Sequence, residues 1–481
     1  MRRLAGLIAA LLIAGCSSSG SGAATARAVT SDLTAPEVSG PIEGGVRMRP
    51  WGGALPSQAP LDPYDYVEEE YFYSGVAQAR DLQGQTTGAE AAYTTRLIVE
   101  RPRKPEQFNG AVIVEWFNVT ASMDLPVIFT LAHKELLRGG YAYVGVSAQT
   151  AGVQASPFAL KQWDPVRYLA LNHPGDAYMH DIFAQSAKAL VASTGPRPLG
   201  DLQPRKIIAA GESQSCILLS QYVNVIDPEH RVFDGYFLHS CATAISQRLD
   251  VPVILFNNES ELDGFTAPRD ATPLPPIVAD IPGLGLLRVQ MLDNGVQPET
   301  DGPWYRVWEI AGGSHFDKQA LSYLVPLLAY NFAAPLPEPP TPPQFPLGCG
   351  KLPNRVAMER PTRAALRQLR DWVVDGTAPP QYPRVLRNAD RTIARDVDGL
   401  AEGGIRMPPM VAPDGINLGD DCPFIGSYTP FDLVQMQQRY GDAASFRAAV
   451  EQAAHDAVGT GALLPEDASE YVDEAAAAWA R

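Results

Sequence analysis

The chain has 481 residues, of which 46% are hydrophobic and 19% charged, so it is long and apolar enough to bury a large core. Its formal net charge is −16, with 54 acidic against 38 basic residues. Because binding to nucleic acid phosphates requires clustered basic side chains, this balance argues against nucleic acid as a partner.

The first sixteen residues predict an export signal that ends at a cysteine. Arg2 and Arg3 form a short positive region, and residues 4–13 supply an apolar run too short to span a bilayer. The run ends in Ile-Ala-Gly-Cys, which is typical of a bacterial lipoprotein signal cleaved before an acylated cysteine. We therefore expect residues 1–16 to be a lipoprotein signal peptide, with Cys16 lipidated. An ordinary export signal with a chance cysteine is the alternative.

Residues 17–37 predict a flexible tether, because they begin with a run of Ser and Gly. We expect the tether to link the lipid anchor to a single elaborated domain, residues 38–481. The sequence thus predicts an exported protein that is anchored to a membrane of the bacterial cell envelope through Cys16.

The body of the chain alternates between apolar β-like runs and helical runs. Short β-like runs come first, at residues 71–73 and 93–99. The later runs that predict strands are 111–116, 141–146, 206–210, 235–238, 251–256 and 304–310. The runs that predict helices are 126–137, 176–192, 215–225 and 363–374, with at least two more near the C-terminus. This alternation indicates an α/β protein whose mostly parallel sheet is flanked by helices.

Gly211-Glu212-Ser213-Gln214-Ser215 lies between a predicted strand and a predicted helix. A serine held on a sharp strand-to-helix turn needs small residues two positions before and two positions after it, and Gly211 and Ser215 meet this need. The pattern predicts that Ser213 is a nucleophile. The alternative is that Ser213 only caps the following helix.

A serine nucleophile needs a base, which in this type of fold comes last in the chain order Ser, acid, His. His239, His315 and His455 follow Ser213 and lie beyond the next predicted helix. Only His315 follows a predicted strand through a flexible Ala-Gly-Gly-Ser loop, which can bring its imidazole over the serine. We therefore predict that His315 is the base.

The orienting acid is expected just after the strand that separates the serine from the histidine. Predicted strand 251–256 is followed by Glu259, Glu261 and Asp263. The spacing from the strand favours Glu261, with Glu259 as the alternative and Asp263 third. The acid would fix the tautomer of His315 and stabilise its protonated form.

An oxyanion hole needs two backbone N–H groups aimed at the developing negative charge. We expect one from Gln214, directly after the nucleophile. The other should come from the loop after strand 111–116, at Asn118 or within one residue of it. None of the cysteine or histidine spacings is typical of a metal site, so we expect no metal and no cofactor.

Several of these motifs resemble those of bacterial, often exported α/β-hydrolase-domain proteins. The resembling segments are residues 114–119, 211–215, 308–315, 371–380, 403–408 and 422–426. The resemblance extends from about residue 38 to the C-terminus and implies one α/β-hydrolase domain with N-terminal strands and a C-terminal helical decoration. It also implies that Ser213 and His315 are catalytic and that the activity is esterase-like. Glu261 departs from the fold's usual pattern, in which Asp is commoner.

Together these features predict a serine hydrolase that cleaves a small-molecule carboxylic ester through an acyl-enzyme. A lactonase, amidase or peptidase could use the same triad, because the fold does not fix the substrate. A surface lipoprotein that binds without catalysis is the alternative from a different class.

Four cysteines follow Cys16, and an even number permits two disulfides in an oxidising compartment. Cys349 and Cys422 lie in loop-like segments bounded by Gly or Pro, so we expect them to pair. Cys216 and Cys241 are the second candidate pair, because one follows the serine by three residues and the other ends the next strand. Buried free thiols are the alternative for both pairs.

Overall fold

A computed structural model describes most of the chain. The described residues are 33–241, 243, 245, 249–263, 301–333, 350–390, 392–422 and 424–479. The predicted signal peptide with Cys16, all but the last residues of the tether, and Cys349 lie outside these residues. Among the helices of the described residues, none combines the length and the apolar character needed to cross a membrane.

Within the residues that the structure describes, nine strands form one sheet. They are β1 (Glu37–Ser39), β2 (Tyr66–Arg80), β3 (Thr86–Pro102), β4 (Ala111–Trp116), β5 (Ala142–Val146), β6 (Lys206–Glu212), β7 (Gly235–His239), β8 (Val253–Asn258) and β9 (Tyr305–Ile310). Their order across the sheet is β1-β2-β3-β5-β4-β6-β7-β8-β9. The pairs from β1 to β5 are antiparallel, and every pair from β5 to β9 is parallel. The predicted mostly parallel sheet is confirmed.

Helices cover both faces of this sheet. They are α1 (Val127–Arg138), α2 (Leu160–Trp163), α3 (Met179–Val191), α4 (Gln214–Gln221), α5 (Asp227–His230), α6 (Glu259–Asp263), α7 (Lys318–Phe332), α8 (Glu359–Asp375), α9 (Pro408–Val411), α10 (Leu433–Tyr440), α11 (Ala443–Gly459) and α12 (Ala468–Trp479). The last three form the expected helical decoration at the C-terminus.

The apolar residues of the central strands alternate between two cores, as the two-residue period of a strand requires. In β4, Val112 and Val114 belong to a core that includes residues of α3 and α4. Ala111 and Ile113 belong to the core on the other face, which includes residues of α1 and α8. All four side chains are fully buried. Burial on both faces explains why β4 reads as an unbroken apolar run, which made it predictable.

The N-terminal strands are longer than the sequence predicted. The runs 71–73 and 93–99 are parts of β2 and β3, which have 15 and 17 residues and pair as an antiparallel hairpin. Polar residues within them hide this length from a hydropathy pattern. Buried Arg96 of β3, for example, is compensated by Glu70 of β2, with 2.8 Å between Nη1 and Oε1. Pairing between β2 and β3 therefore keeps both segments in β conformation where their sequences are polar.

The C-terminal part of the chain also closes the edge of the sheet beside β9. Ile405 forms a parallel bridge with Ile310, and its N–H donates to Glu309 O at 2.7 Å. Beyond it, β10 (Gly415–Leu418) and β11 (Ser427–Pro430) pair antiparallel. The segment between β10 and β11 packs on the loop that follows β9.

Candidate active site

Ser213 lies on the turn between β6 and α4, with φ 54° and ψ −116°. This strained backbone conformation is tolerated because its neighbours are small and locally bonded. A Cβ on Gly211 would lie 3.0 Å from the backbone of Ser215, so the strand and helix could not approach as they do. The Ser215 hydroxyl donates to Glu212 O at 3.0 Å and accepts the Glu212 N–H at 3.1 Å. Ser213 makes no side-chain cap bond to α4, which argues against the simple cap alternative.

The loop after β9 places His315 against this serine. Nε2 of His315 is 2.9 Å from Ser213 Oγ, and Nδ1 is 2.9 Å from Oε1 of Glu261. A carboxylate only accepts hydrogen bonds, so Nδ1 carries the proton and Nε2 can accept the Ser213 O–H. Ser213 is half-buried, whereas the His315 ring is 1% exposed. The structure thus brings together the three predicted residues Ser213, His315 and Glu261.

Two other bonds fix the Glu261 carboxylate within α6. Oε2 accepts the Asn258 N–H at 2.6 Å, and Oε1 accepts the Ser260 hydroxyl at 2.6 Å. The short helix α6 begins directly after β8, so both bonds come from residues one to three positions before Glu261. Residues of the same chain segment therefore hold the Glu261 carboxylate in place independently of its bond to His315.

Glu259, the alternative acid, points elsewhere. Its Oε2 accepts the Gly312 N–H at 2.7 Å, and its Oε1 accepts bonds from Arg395 Nη2 at 2.7 Å and from Gly419 N–H at 3.2 Å. Glu259 therefore joins the loop after β9 to the C-terminal part of the chain and does not bond to the imidazole. The side chain of Asp263 lies outside the described residues.

The two predicted oxyanion-hole residues differ in whether their backbone N–H already has an acceptor. Gln214 is the first residue of α4, so its N–H has no acceptor within the helix. The N–H of Asn118, in contrast, donates to Leu125 O at 3.3 Å. A local β-bridge thus already uses the N–H of Asn118, and which residue of this loop donates to an oxyanion stays a prediction. The neighbouring Val119 N–H donates to the Gln214 side-chain Oε1 at 3.2 Å, and the amide nitrogen of the same side chain donates to Gln149 Oε1 at 2.8 Å.

A third carboxylate, for which no sequence pattern indicated a role, belongs to the same site. Oε1 of Glu212 lies 3.3 Å from Nε2 of His315. Burial raises the pKa of Glu212 to about 7, although the imidazole acts to lower it. Burial alone would lower the pKa of His315, but Glu212 and Glu261 reverse this effect and raise that pKa above its ordinary value. The available signal was a carboxylate at the end of a buried strand, next to the serine.

The other two histidines considered from the sequence have different environments. His239 is fully buried at the end of β7, where its Nε2 is 3.0 Å from Thr362 Oγ1 and burial lowers its pKa to about 3. It contributes its backbone carbonyl to the site, accepting the Ser213 N–H at 2.9 Å. His455 lies in α11 with 81% of its side chain exposed. Neither imidazole bonds to the serine.

The loop that carries His315 is held mainly by the C-terminal part of the chain. Asn354 Nδ2 donates to Gly312 O at 2.6 Å, and the Phe316 N–H donates to Phe424 O at 2.7 Å. The ring of Phe424 also meets the imidazole edge-on, with 5.5 Å between centroids. Gly419 packs so closely on the carbonyl of Gly313 that a side chain there would collide with it. Nothing in the local sequence of these residues indicated a role near the imidazole.

A disulfide joins Cys216 of α4 to Cys241, just after β7, with 5.8 Å between the Cα atoms. This predicted pair is confirmed. Cys422 is also disulfide-bonded, whereas its predicted partner Cys349 lies outside the described residues, so their pairing stays a prediction. Within the described part of the chain, no three His, Cys, Asp or Glu residues are placed to hold a metal ion.

The solved structures that match part of this chain include hydrolases of several kinds, all at low overall similarity. One is a prolyl endopeptidase, with a TM-score of 0.27 and 13% identity over 57% of this chain and 32% of that one. Another is brefeldin A esterase, a bacterial homologue of human hormone sensitive lipase, with a TM-score of 0.22 and 13% identity over 39% and 43%. A third is a putative dienelactone hydrolase from Klebsiella pneumoniae, with a TM-score of 0.25 and 12% identity over 55% and 98%.

The chain thus spans less than half the length of the first two of these structures. No curated protein sequence matches it. The sequence pattern of one family, described as alpha/beta hydrolase domain, matches residues 38–473. That match covers most of the chain and agrees with the parallel sheet and the strand-to-helix turn at Ser213. The protein therefore belongs to the alpha/beta hydrolase domain family.

Proposed function

We propose that this protein is a serine hydrolase that cleaves carboxylic esters through an acyl-enzyme. The observation that supports this most strongly is the continuous chain of hydrogen bonds from Ser213 Oγ through both nitrogens of His315 to Glu261, with 2.9 Å at each step. A strained serine, a buried imidazole and a fixed carboxylate in this order are what a serine nucleophile requires.

In the acylation step, the Ser213 oxygen attacks the ester carbonyl carbon while its proton passes to Nε2 of His315. Glu261 keeps the other proton on Nδ1 and stabilises the positive imidazolium. The imidazolium then gives the Nε2 proton to the departing alcohol oxygen. A water molecule repeats the sequence on the acyl-serine, which releases the acid and restores the hydroxyl.

The negative oxygen of the tetrahedral intermediate needs two N–H donors. The Gln214 N–H is one, and we assign the second to Val119 in place of Asn118. For this, the Gln214 side chain must turn away, because its Oε1 accepts the Val119 N–H at 3.2 Å in the structure. An incoming carbonyl oxygen can replace that acceptor without breaking backbone pairing.

The proposal is tested with a fluorophosphonate probe and with p-nitrophenyl esters of short and long acyl chains. We expect covalent labelling at Ser213 and ester turnover, both lost in Ser213→Ala. Lactones and p-nitroanilides in the same assay separate an esterase from a lactonase, amidase or peptidase. Absence of both labelling and turnover in the folded wild-type protein would favour a binding protein without catalysis.

We also infer that the enzyme is exported and lipid-anchored through Cys16, because the sequence up to this residue is typical of a lipoprotein signal. Membrane fractionation of Cys16→Ser tests this in a bacterial host. We expect the variant to remain an unprocessed precursor or to leave the membrane fraction. A mature variant that still fractionates with membranes would contradict the inference.

A further inference from the structure

We propose that Glu212 is a second carboxylate for His315, which stabilises the imidazolium from the Nε2 side while Glu261 does so from the Nδ1 side. The proposal rests on the function proposed above and adds a residue to its machinery. The carboxylate lies 3.3 Å from the ring nitrogen that receives the serine proton, so it contacts a reacting atom.

The position of the Glu212 carboxylate is fixed by its surroundings. The residue is fully buried at the end of β6, and its backbone is paired with His239 of β7. Oε2 accepts a bond from Asn118 Nδ2 at 3.1 Å, and the same amide also donates to Glu212 O at 3.1 Å. The side chain of Asn118, and not its backbone N–H, therefore positions the Glu212 carboxylate.

The second oxygen of this carboxylate has no hydrogen-bond donor among the described residues. Oε1 of Glu212 is buried and faces Nε2 of His315 at a distance of 3.3 Å. A buried acceptor without a hydrogen-bond donor lowers the free energy of unfolding. The folded protein carries this destabilisation at Glu212 Oε1 in the resting state. The unsatisfied oxygen points at the one place where a proton arrives during the reaction.

The effect on rate follows from the change in charge on the imidazole. In the resting state Nε2 carries no proton and is a hydrogen-bond acceptor, so it has little attraction for a neighbouring carboxylate. When Ser213 attacks, Nε2 takes the proton and the ring becomes positive, so Glu212 attracts it in the transition state only. An interaction that appears only in the transition state raises kcat more than it changes KM. The proton itself passes between Ser213, His315 and the leaving group, and Glu212 acts only in its ionised form.

The charges around Glu212 determine the pH range in which it is ionised and can stabilise the imidazolium. Glu261 of α6 and Glu115 of β4 both favour its neutral form, whereas His315 favours its ionised form. His239 of β7 stays neutral, because burial lowers its pKa to about 3. Because Glu212 Oε1 lies 3.3 Å from His315 Nε2, the ionisation of Glu212, whose pKa is raised by burial to about 7, is coupled to that of His315, and both contribute to the acidic limb of the pH–rate profile.

The test is the variant Glu212→Gln, with kcat, KM and kcat/KM for p-nitrophenyl butyrate measured from pH 5 to pH 9. We expect kcat to fall about 10- to 100-fold with little change in KM, a smaller loss than that of an oxyanion-hole donor because Glu261 remains. Loss of the negative charge lowers the pKa of His315, so the acidic midpoint of kcat/KM should move down by roughly 1 pH unit. Glu212→Asp keeps the charge one methylene further away and should give intermediate values for both.

Glu115→Gln is the matched control, because Glu115 is an equally buried carboxylate one strand away that bonds to Tyr143 and to α1 instead of the imidazole. It should move the acidic midpoint much less than Glu212→Gln does, because Glu115 does not contact His315 and burial raises its pKa to about 8, so that it carries little charge on the acidic limb. A structural role of Glu212 would lower the thermal midpoint without moving the pH midpoint. If Glu212→Gln does not fold, Glu212→Asp carries the test through the same two readouts.

Two results overturn the proposal: an unchanged pH midpoint in a folded Glu212 variant, or an unchanged kcat. Failure of the proposed function itself looks different, since the wild-type protein would then show neither fluorophosphonate labelling nor ester turnover. Wild-type turnover that disappears in Ser213→Ala, together with a Glu212→Gln variant that behaves like wild type, refutes only the inference about Glu212.

Discussion

The serine side and the histidine side of the site are held in different ways. The turn at Ser213 is built from its immediate neighbours, since Gly211 permits the close approach of β6 and α4 and Ser215 bonds to the backbone of Glu212. All of these contacts lie within five consecutive residues. Ser213 is therefore positioned mainly by local sequence, and His239 O of the neighbouring strand β7 adds one contact by accepting its N–H.

The loop of His315 depends on residues far away in the chain. Gly312 is bonded through its N–H to Glu259 and through its carbonyl to Asn354, and Phe316 is bonded to Phe424. The C-terminal part of the chain thus holds the loop of His315 in place, although it carries none of the three residues of the proposed triad. Substitutions there should reduce turnover while the turn at Ser213 keeps its geometry.

The largest effect is expected from Ser213→Ala on the local side. Ester turnover should fall by roughly 10⁴-fold or more, because no other group can form the acyl-enzyme. The thermal midpoint should change little, since the half-buried hydroxyl bonds only to His315 among the described residues. Turnover and differential scanning calorimetry on the same preparation check both statements. Retention of more than a few per cent of activity would refute the assignment.

The two glutamates of α6 test the histidine side directly. Glu261→Gln should lower kcat on the order of 10³- to 10⁴-fold, because the neutral amide no longer holds the reactive tautomer or stabilises the imidazolium. Glu259→Gln should lower kcat much less, and it should lower the thermal midpoint because it weakens the bonds to Gly312 and Arg395. Steady-state kinetics on both variants ranks them, and the reverse ranking would show that Glu259 is the triad acid.

Asn354→Ala breaks a long-range contact without touching the triad. It removes the bond to Gly312 O, loosens the loop of His315 and should lower kcat by about 10-fold, since small misplacements of a catalytic group are costly. Asn388→Ala is the control, because the bonds of Asn388 to described residues stay within its own exposed turn, to Thr392 and Ile393. The comparison of kcat between these two variants decides the point. Equal kcat values would mean that the C-terminal part does not position the histidine.

The smallest effect on turnover is expected for removal of the disulfide beside the serine. The double substitution of Cys216 and Cys241 by Ala should lower the free energy of unfolding by about 3 kcal/mol, since the bridge closes a loop of 25 residues. It should leave kcat within about twofold, because the contacts that shape the turn at Ser213 do not involve either sulfur. Urea unfolding and kinetics at a temperature where the variant is folded measure the two quantities. A large loss of kcat would show that the serine side also depends on distant contacts.

Sequence patterns were informative wherever the deciding contacts are local. The fully buried strands β4 and β6, the small residues at Gly211 and Ser215, and the flexible loop before His315 all leave a signature within a few positions. The fold class, the serine, the histidine and the spacing that favoured Glu261 over Glu259 could be obtained from such signatures. The same holds for the pairing of Cys216 with Cys241, since neighbouring strands bring their ends together.

What the sequence alone determined is thus the order of elements along the chain and the residue types that follow the ends of the strands. The tertiary structure decided the rest: which glutamate oxygen meets the imidazole, that the Asn118 N–H is used by Leu125, and that Glu212 faces Nε2. It also decided that segments about 40 and 100 residues after His315 hold its loop. The physical reason is that these contacts join groups from different elements, whose distances depend on how the elements pack and are not encoded in any local period or motif.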